Sequence, residues 1–150
     1  MSDAGRVVVT GATGFVGSAI VRAFLAAGYP VRTFVRAMSP RSNLAGLEIE
    51  SFEGDVCDKN AVARAMAGVR YVAHAAADYR LWARDPDAIV RTNVEGTRTV
   101  MQAALSADIE RVVYTSSVAT LALRPDGEAA DETVQLAVGV AAIKVQSIAR

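Results

Sequence analysis

Val7, Val8, Val9, Thr10, Gly11, Ala12, Thr13, Gly14, Phe15, Val16, Gly17, reading VVVTGATGFVG, is the stretch that decides the fold of this 150-residue chain. Four residues suited to a strand buried on both faces run into three glycines at G-x-x-G-x-x-G spacing, and then into an apolar helical pattern. The order is strand, glycine turn, helix. It brings the chain to a helix N-terminus, whose unpaired N–H groups and positive dipole end suit the pyrophosphate of a dinucleotide. Gly11 permits the tight turn, Gly14 lets backbone approach a phosphate with no Cβ between them, and Gly17 lets the helix pack close to the strand. Ala12, Thr13, Phe15 and Val16 complete the loop and first helical turn and join the glycines as candidate cofactor contacts. The commoner spacing is G-x-G-x-x-G, and a glycine triplet alone is weak; its place at the head of an α/β pattern weighs against a plain tight turn.

Composition bounds what can surround this motif. At 52% hydrophobic and 21% charged, residues 1–150 suffice for one domain with a real core but not for two. Sixteen basic and sixteen acidic residues balance without blocks of either sign, which argues against nucleic acid or a membrane surface and for a small-molecule partner. One cysteine, Cys57, excludes an internal disulfide and, with a single histidine, leaves no Cys/His metal site. A reducing, cytoplasmic location is expected. No apolar run reaches bilayer length, and the opening MSDAGR lacks the layout of a secretory signal.

After the glycines, Val16, Ile20, Ala23, Phe24 and Ala27 recur at helical spacing up to Gly28. Val31–Val35 reads as the second strand and completes a βαβ unit. Beyond it lies a polar, basic loop containing Arg36 and Arg41. In this kind of fold an acidic residue at the end of the second strand accepts from a ribose 2′-OH, whereas an arginine pairs with a 2′-phosphate. Arg36 therefore points to NADP, with NAD as the alternative if Arg36 and Arg41 are merely solvated loop charges. A third strand over Ile49–Phe52 precedes Gly54, Asp55 and Val56. Asp55 is either an acceptor for an adenine amino group or a turn aspartate. Asp58 caps a helix over Lys59–Ala67, with Val62 and Met66 inward and Gly68 closing it.

A fourth strand ends at His74 and Ala75, and the small residues Ala75, Ala76 and Ala77 leave room for a cofactor across the strand ends. His74, with no second ligand to share a metal, reads as a packed residue. Tyr79 and Trp82 follow in a loop at the edge where substrates bind, and either substrate contact or simple packing accounts for them. Asp85 and Pro86 start a long helix to about Ser106, with Val90, Val94, Thr97, Met101 and Ala104 as its expected inner stripe. Asn93 stands one step off that stripe, and its amide asks for a partner. Arg111–Tyr114 is the fifth strand and delivers Thr115, Ser116 and Ser117 to the edge carrying the glycine turn; their hydroxyls could equally cap a turn.

TGATGFVG, the GD after the third strand, HAAAD after the fourth, NVEGT on the long helix and YTSS after the fifth occur here in order. As a set they resemble the extended short-chain dehydrogenase/reductase family, and within it the dihydroflavonol reductase-like and hopanoid-associated sugar epimerase-like members, over residues 6–133. The resemblance implies a Rossmann α/β fold, with helices on both faces of a doubly wound parallel sheet of order 3-2-1-4-5. It implies a nicotinamide cofactor, with Asp55 and Val56 at the adenine and Ala75, Ala76 and Ala77 lining the cofactor. It also implies chemistry by serine, tyrosine and lysine helped by asparagine, the serine falling on Ser117 and the asparagine on Asn93. Relatives pair through the long helix and the tyrosine-bearing helix, so homodimer formation is expected.

The family's Tyr-x-x-x-Lys motif is absent. The four residues that follow the tyrosines at lysine spacing are Thr33, Ala75, Ala83 and Val118, and the only lysines are Lys59 and Lys144. Without that pair the proton on the substrate oxygen has no dedicated donor, a loss of about 10²- to 10⁴-fold in rate. After Thr133 the tail VQLAVGVAAIKVQSIAR departs from the family pattern, and the family's C-terminal substrate domain is missing. A truncated or frame-shifted reading frame, a deliberately shortened cofactor half and a degenerate homologue are the open explanations. A covering helix over Ala137–Ala149 is the plainer alternative. Residues 1–150 are thus expected to be one cofactor-binding domain with an aberrant tail over 133–150, catalytically incomplete, or else a noncatalytic dinucleotide-binding module.

Overall fold

VVVT is apolar on both faces, and the strand it forms, β1 (Val7–Thr10), is buried along its whole length. The computed structural model describes residues 5–79, 85–117, 120–122, 124, 126–131 and 133–134. β1 pairs in parallel with β2 (Val31–Val35) on one side and β4 (Tyr71–His74) on the other. β3 (Glu50–Glu53) joins β2 and β5 (Arg111–Tyr114) joins β4, giving the expected order β3-β2-β1-β4-β5. Strand alternation sends Val7 and Val9 to one face, where α1 (Phe15–Ala26) supplies Val21, and Val31, Val35 and Ala73 complete the cluster. Val8 faces the opposite way. There α2 (Lys59–Met66) contributes Val62 and Met66, and α3 (Pro86–Ser106) contributes Val100 and Ala104. The three-layer Rossmann arrangement follows from this division.

The helix starts obey local chemistry. Asp58 accepts from the N–H groups of Asn60 and Ala61, and Asp85 accepts from that of Ala88. α2 also has a stop that the sequence did not suggest. Arg32 is 5% exposed within β2, and its Nη1 donates to the carbonyls of Ala65 (2.7 Å) and Ala67 (2.8 Å) at the end of the helix. Its remaining donors take both carboxylate oxygens of Glu50 on β3, and the guanidinium lies over the Phe52 ring. This charge-assisted pair holds the Glu50 carboxyl below the usual carboxylate range.

Several expected details shift. β3 runs one residue later than Ile49–Phe52. The inward face of α1 carries Gly17, Ser18 and Val21, while Val16, Ala23 and Ala27 are exposed. The rotation arises because Gly17 is pressed onto the Gly11 carbonyl, which sets the helix's azimuth. On α3, Gly96, Thr99, Val100 and Ala104 are buried, and Val90 is 52% exposed. Asn93 therefore lies on the inward side, one turn before Gly96 and Thr97, and not off the stripe as expected. A Cβ on Gly96 would come 2.6 Å from Val56 Cγ2, so a helix with any other residue there would sit farther out.

Residues Met1–Thr115 form one compact unit and Ser116–Arg150 another. Within the second, Thr120 Oγ1 donates to the Ser117 carbonyl (2.6 Å), and Arg124 pairs with Asp131 at 3.8 Å.

Candidate functional site

The carboxyl ends of the parallel strands carry a cleft lined by Gly11, Thr13 and Gly14 from the glycine turn, Arg36 and Ser39 after β2, and Asp55 and Val56 after β3. Ala75, Ala76, Ala77, Asp78 and Tyr79 after β4 complete it with Asn93 and Thr97 from α3. At the turn, Gly11 has φ +66°, and a Cβ there would meet the Ala75 and Ala76 main chain at 2.7 Å. A Cβ on Gly17 would lie 2.1 Å from the Gly11 carbonyl oxygen. These two glycines thus bring β1, β4 and α1 closer together than any other residue allows. Gly14 differs: its would-be Cβ meets only the Gly11 oxygen at 3.3 Å, leaving its front open. Gly14 is also the N-cap of α1, where no side chain caps the helix and the first turn holds no acidic residue. Main-chain N–H groups and the positive helix end are left for an anion. Ala12 is buried behind the turn, whereas the Phe15 and Val16 side chains are 88% and 49% exposed.

The loop after β2 separates the two candidate arginines. Arg41 Nη2 is 2.6 Å from Glu53 Oε1, and its Nη1 donates to Ser51 Oγ at 3.0 Å. Arg36 is exposed beside the cleft and makes no ion pair among the described residues. Asn43, not singled out from sequence, donates from Nδ2 to the Thr13 carbonyl (2.9 Å) and ties this loop to the glycine turn. Asp55 Oδ1 accepts from the Cys57 N–H (2.8 Å), so the residue is a turn aspartate that also lines the cleft. Burial, and then the Asp55 carboxylate, push the Cys57 thiol up, which keeps it an unreactive neutral group.

The wall after β4 is held by side chains from three elements. His74 is 1% exposed and stacks on Tyr114, with Nδ1 2.6 Å from Thr10 Oγ1 and Nε2 3.3 Å from Thr97 Oγ1. Thr10 Oγ1 accepts from the Ala76 N–H (3.2 Å); the arrangement that also uses its own proton has the hydroxyl donating to Nδ1 and the ring proton on Nε2. Burial pushes the imidazole pKa down from 6.5 to about 4, so the ring is neutral at physiological pH. His74 is a packed residue, as its isolation in the sequence suggested. Beyond it, Asn93 Oδ1 accepts from the Asp78 N–H (2.7 Å), and Asn93 Nδ2 donates to the Asp78 carbonyl (2.8 Å). Tyr79 is 84% exposed at the cleft.

Trp82 lies outside the described residues. The Thr115 N–H donates to the His74 carbonyl (2.9 Å), one step past β5, and the Thr115 side chain is exposed. Ser116 and Ser117 belong to the second unit, both exposed, with Ser116 Oγ 3.5 Å from Thr120 Oγ1. Among the described residues no group of three or more His, Cys, Asp or Glu could hold a metal, and no helix is long and apolar enough to cross a membrane. The residues that sequence reasoning missed, Thr10, Asn43 and Gly96, share one signal. Each is a polar residue or glycine at a position that the local pattern would otherwise fill with an apolar side chain or leave to solvent.

Comparison with known proteins gives the site its context. A Synechocystis protein provisionally named dihydroflavonol 4-reductase is 47% identical over 127 residues, which cover 85% of this chain and 37% of that protein. The crystal structure of gox2253 superposes with a TM-score of 0.83 at 49% identity, over 90% of this chain and 41% of that one. The UDP-glucose 4-epimerase of Thermus thermophilus, solved in complex with NAD, superposes with a TM-score of 0.74 at 32% identity, over 87% and 43%. The chain thus spans little more than a third of the curated relative's length. Residues 7–138 match the model of the NAD dependent epimerase/dehydratase family. A parallel sheet of order 3-2-1-4-5, with an uncapped helix end behind its glycine turn, belongs to that match, and the chain is a member of the NAD dependent epimerase/dehydratase family.

Proposed function

We propose that this chain is the cofactor-binding part of an NADP-dependent oxidoreductase or epimerase acting on a small carbonyl or alcohol substrate. One observation carries the choice of cofactor: Arg36 stands at the cleft after β2 without an ion pair among the described residues, while Arg41 is tied to Glu53. A guanidinium at that position suits a 2′-phosphate bidentately, and the residue that directly follows β2 is this arginine where a 2′-OH reader would be acidic. Gly11 to Gly17 receive the pyrophosphate at the N-terminus of α1, Asp55 and Val56 flank the adenine, and Ala75 to Ala77 with Thr115 line the nicotinamide half. The bound nicotinamide supplies hydride exchange at its C4. Ser117 orients the substrate oxygen, and Tyr79 and Trp82 contact the substrate. Homodimer formation through α3, whose Val90 and Leu105 are exposed, and a cytoplasmic location belong to the same reading.

The absent Tyr-x-x-x-Lys favours a second reading, a dinucleotide-binding module without turnover. Titrating NADP+ and NAD+ by calorimetry tests the shared premise. Wild type should favour NADP+, and Arg36→Gln should lower NADP+ affinity about 10- to 100-fold while leaving NAD+ unchanged. Equal loss for both nucleotides, or none, would remove Arg36 as the reader of the 2′-phosphate. Binding of neither by the folded wild type would overturn the function.

A further inference from the structure

A second hollow opens beside the cleft, with Arg36–Pro40 on one side and Glu53, Gly54 and Asp55 on the other. Arg36, Ser39, Gly54 and Asp55 line both, so the two share a rim. Two carboxylates, Glu53 and Asp55, and one guanidinium, Arg36, belong to the second hollow. Left to themselves they would make it negative and disfavour an anion there. Glu53 ends β3 in register with Val35, the residue directly before Arg36, and the Gly54 N–H donates to the Val35 carbonyl (3.0 Å). The backbone thus holds the Glu53 carboxylate and the Arg36 guanidinium on neighbouring strand ends.

Arg41 lines neither hollow, yet it cancels one of these charges. Its Nη2 lies 2.6 Å from Glu53 Oε1, and its Nη1 donates to Ser51 Oγ (3.0 Å), which also accepts from Thr33 Oγ1 (3.2 Å). Two of its nitrogens are therefore engaged along β3. The two charged side chains are 37% and 58% exposed, and an ion pair so exposed adds little to stability. Its charge cancellation matters where a charged ligand comes close.

We propose that Glu53 is a specificity-determining residue that, unpaired, turns the cleft against a 2′-phosphate, and that Arg41 is a positioning residue that silences it by ion pairing. The proposal rests on the nucleotide reading above, in which Arg36 meets the 2′-phosphate. Arg41 then touches no part of the cofactor and acts through Glu53. A carboxylate at the end of β3 repels a phosphate dianion and leaves an uncharged 2′-hydroxyl indifferent, so its effect falls on NADP+ alone.

A double-mutant cycle read by calorimetry with NADP+ and NAD+ tests this. Arg41→Gln should lower NADP+ affinity about tenfold, with NAD+ affinity within about twofold of wild type. Adding Glu53→Gln to it should return NADP+ affinity to within about threefold of wild type, because the repelling charge is gone. If Arg41 instead held the phosphate directly, the double variant would stay as weak as Arg41→Gln, and that result would overturn the proposal. So would an Arg41→Gln variant whose NADP+ affinity is unchanged. NAD+ affinity falling in step with that for NADP+ would also overturn it, since such a loss marks a disturbed loop and not an unmasked charge. A wild type that binds neither nucleotide, or NAD+ alone, would overturn the proposed function and this proposal together; a wild type that binds both and fails the cycle overturns this proposal alone.

Discussion

His74 is the residue whose burial has a consequence for stability at ordinary pH. Its folded pKa lies near 4, below the 6.5 of an exposed imidazole, so between those values the unfolded chain takes up a proton that the folded chain refuses. The stability this contributes is complete above pH 6.5 and is lost as pH falls towards 4, amounting to about 3 kcal/mol over the full window. Glu50, Asp85 and Asp131, whose carboxyl pKa values are lowered by their partners, lose stability only below their ordinary values of 4.5, 3.8 and 3.8. The fall between pH 6.5 and 5 therefore belongs to the single histidine. Urea unfolding should show stability dropping by about 2 kcal/mol across that interval. His74→Gln should remove most of the slope, and a wild-type stability that stays flat would contradict the buried neutral ring.

At the scale of elements, α2 is held at its two ends by unequal means. Asp58 caps the start with an exposed carboxylate, and an N-cap replaced by alanine costs about 1 kcal/mol. Arg32 holds the end from inside the sheet, where its removal leaves the Ala65 and Ala67 carbonyls without a charged donor and the Glu50 carboxylate with Arg6, 3.3 Å away, in place of two arginines. Arg32→Leu should cost about 3 kcal/mol, clearly more than Asp58→Ala, by urea denaturation of the two variants side by side. Equal losses would mean that water replaces the guanidinium freely. The same comparison separates what local sequence shows from what it hides. The Asp58 cap lies two and three residues from its partners, so it is read from the chain directly; Arg32 reaches carbonyls 33 and 35 positions away and in sequence is one polar residue in a strand.

At the scale of the whole molecule, the proposed function separates binding from turnover. The glycine turn, the Arg36 loop and the cleft wall all lie within residues 11–97, whereas the family's proton-transfer pair has no counterpart anywhere in the chain. The expected outcome is NADP+ affinity without measurable NADPH oxidation over a panel of ketones and flavonoid or sugar-like substrates, because a lost general acid alone removes about 10²- to 10⁴-fold in rate. Steady turnover would require a proton donor outside the Tyr-x-x-x-Lys pattern. The five strands, the turn at Gly11, the close approach at Gly17 and the helix caps could be read beforehand, since each depends on residues close in sequence or on a pattern whose period is that of a single element, whereas the sheet order came from the family resemblance. The azimuth of α1, the inward face of α3, the end cap at Arg32 and the clamp of Asn93 on Asp78 could not. The clamp of Asn93 on Asp78 and the bonds of Arg32 to Ala65 and Ala67 join residues 15, 33 and 35 positions apart, and the Thr10–His74 bond joins residues 64 apart. Local pattern is enough for the elements themselves and their ends; which polar side chains meet across them is settled only in three dimensions, because strand register and helix docking set those distances and no local pattern encodes them.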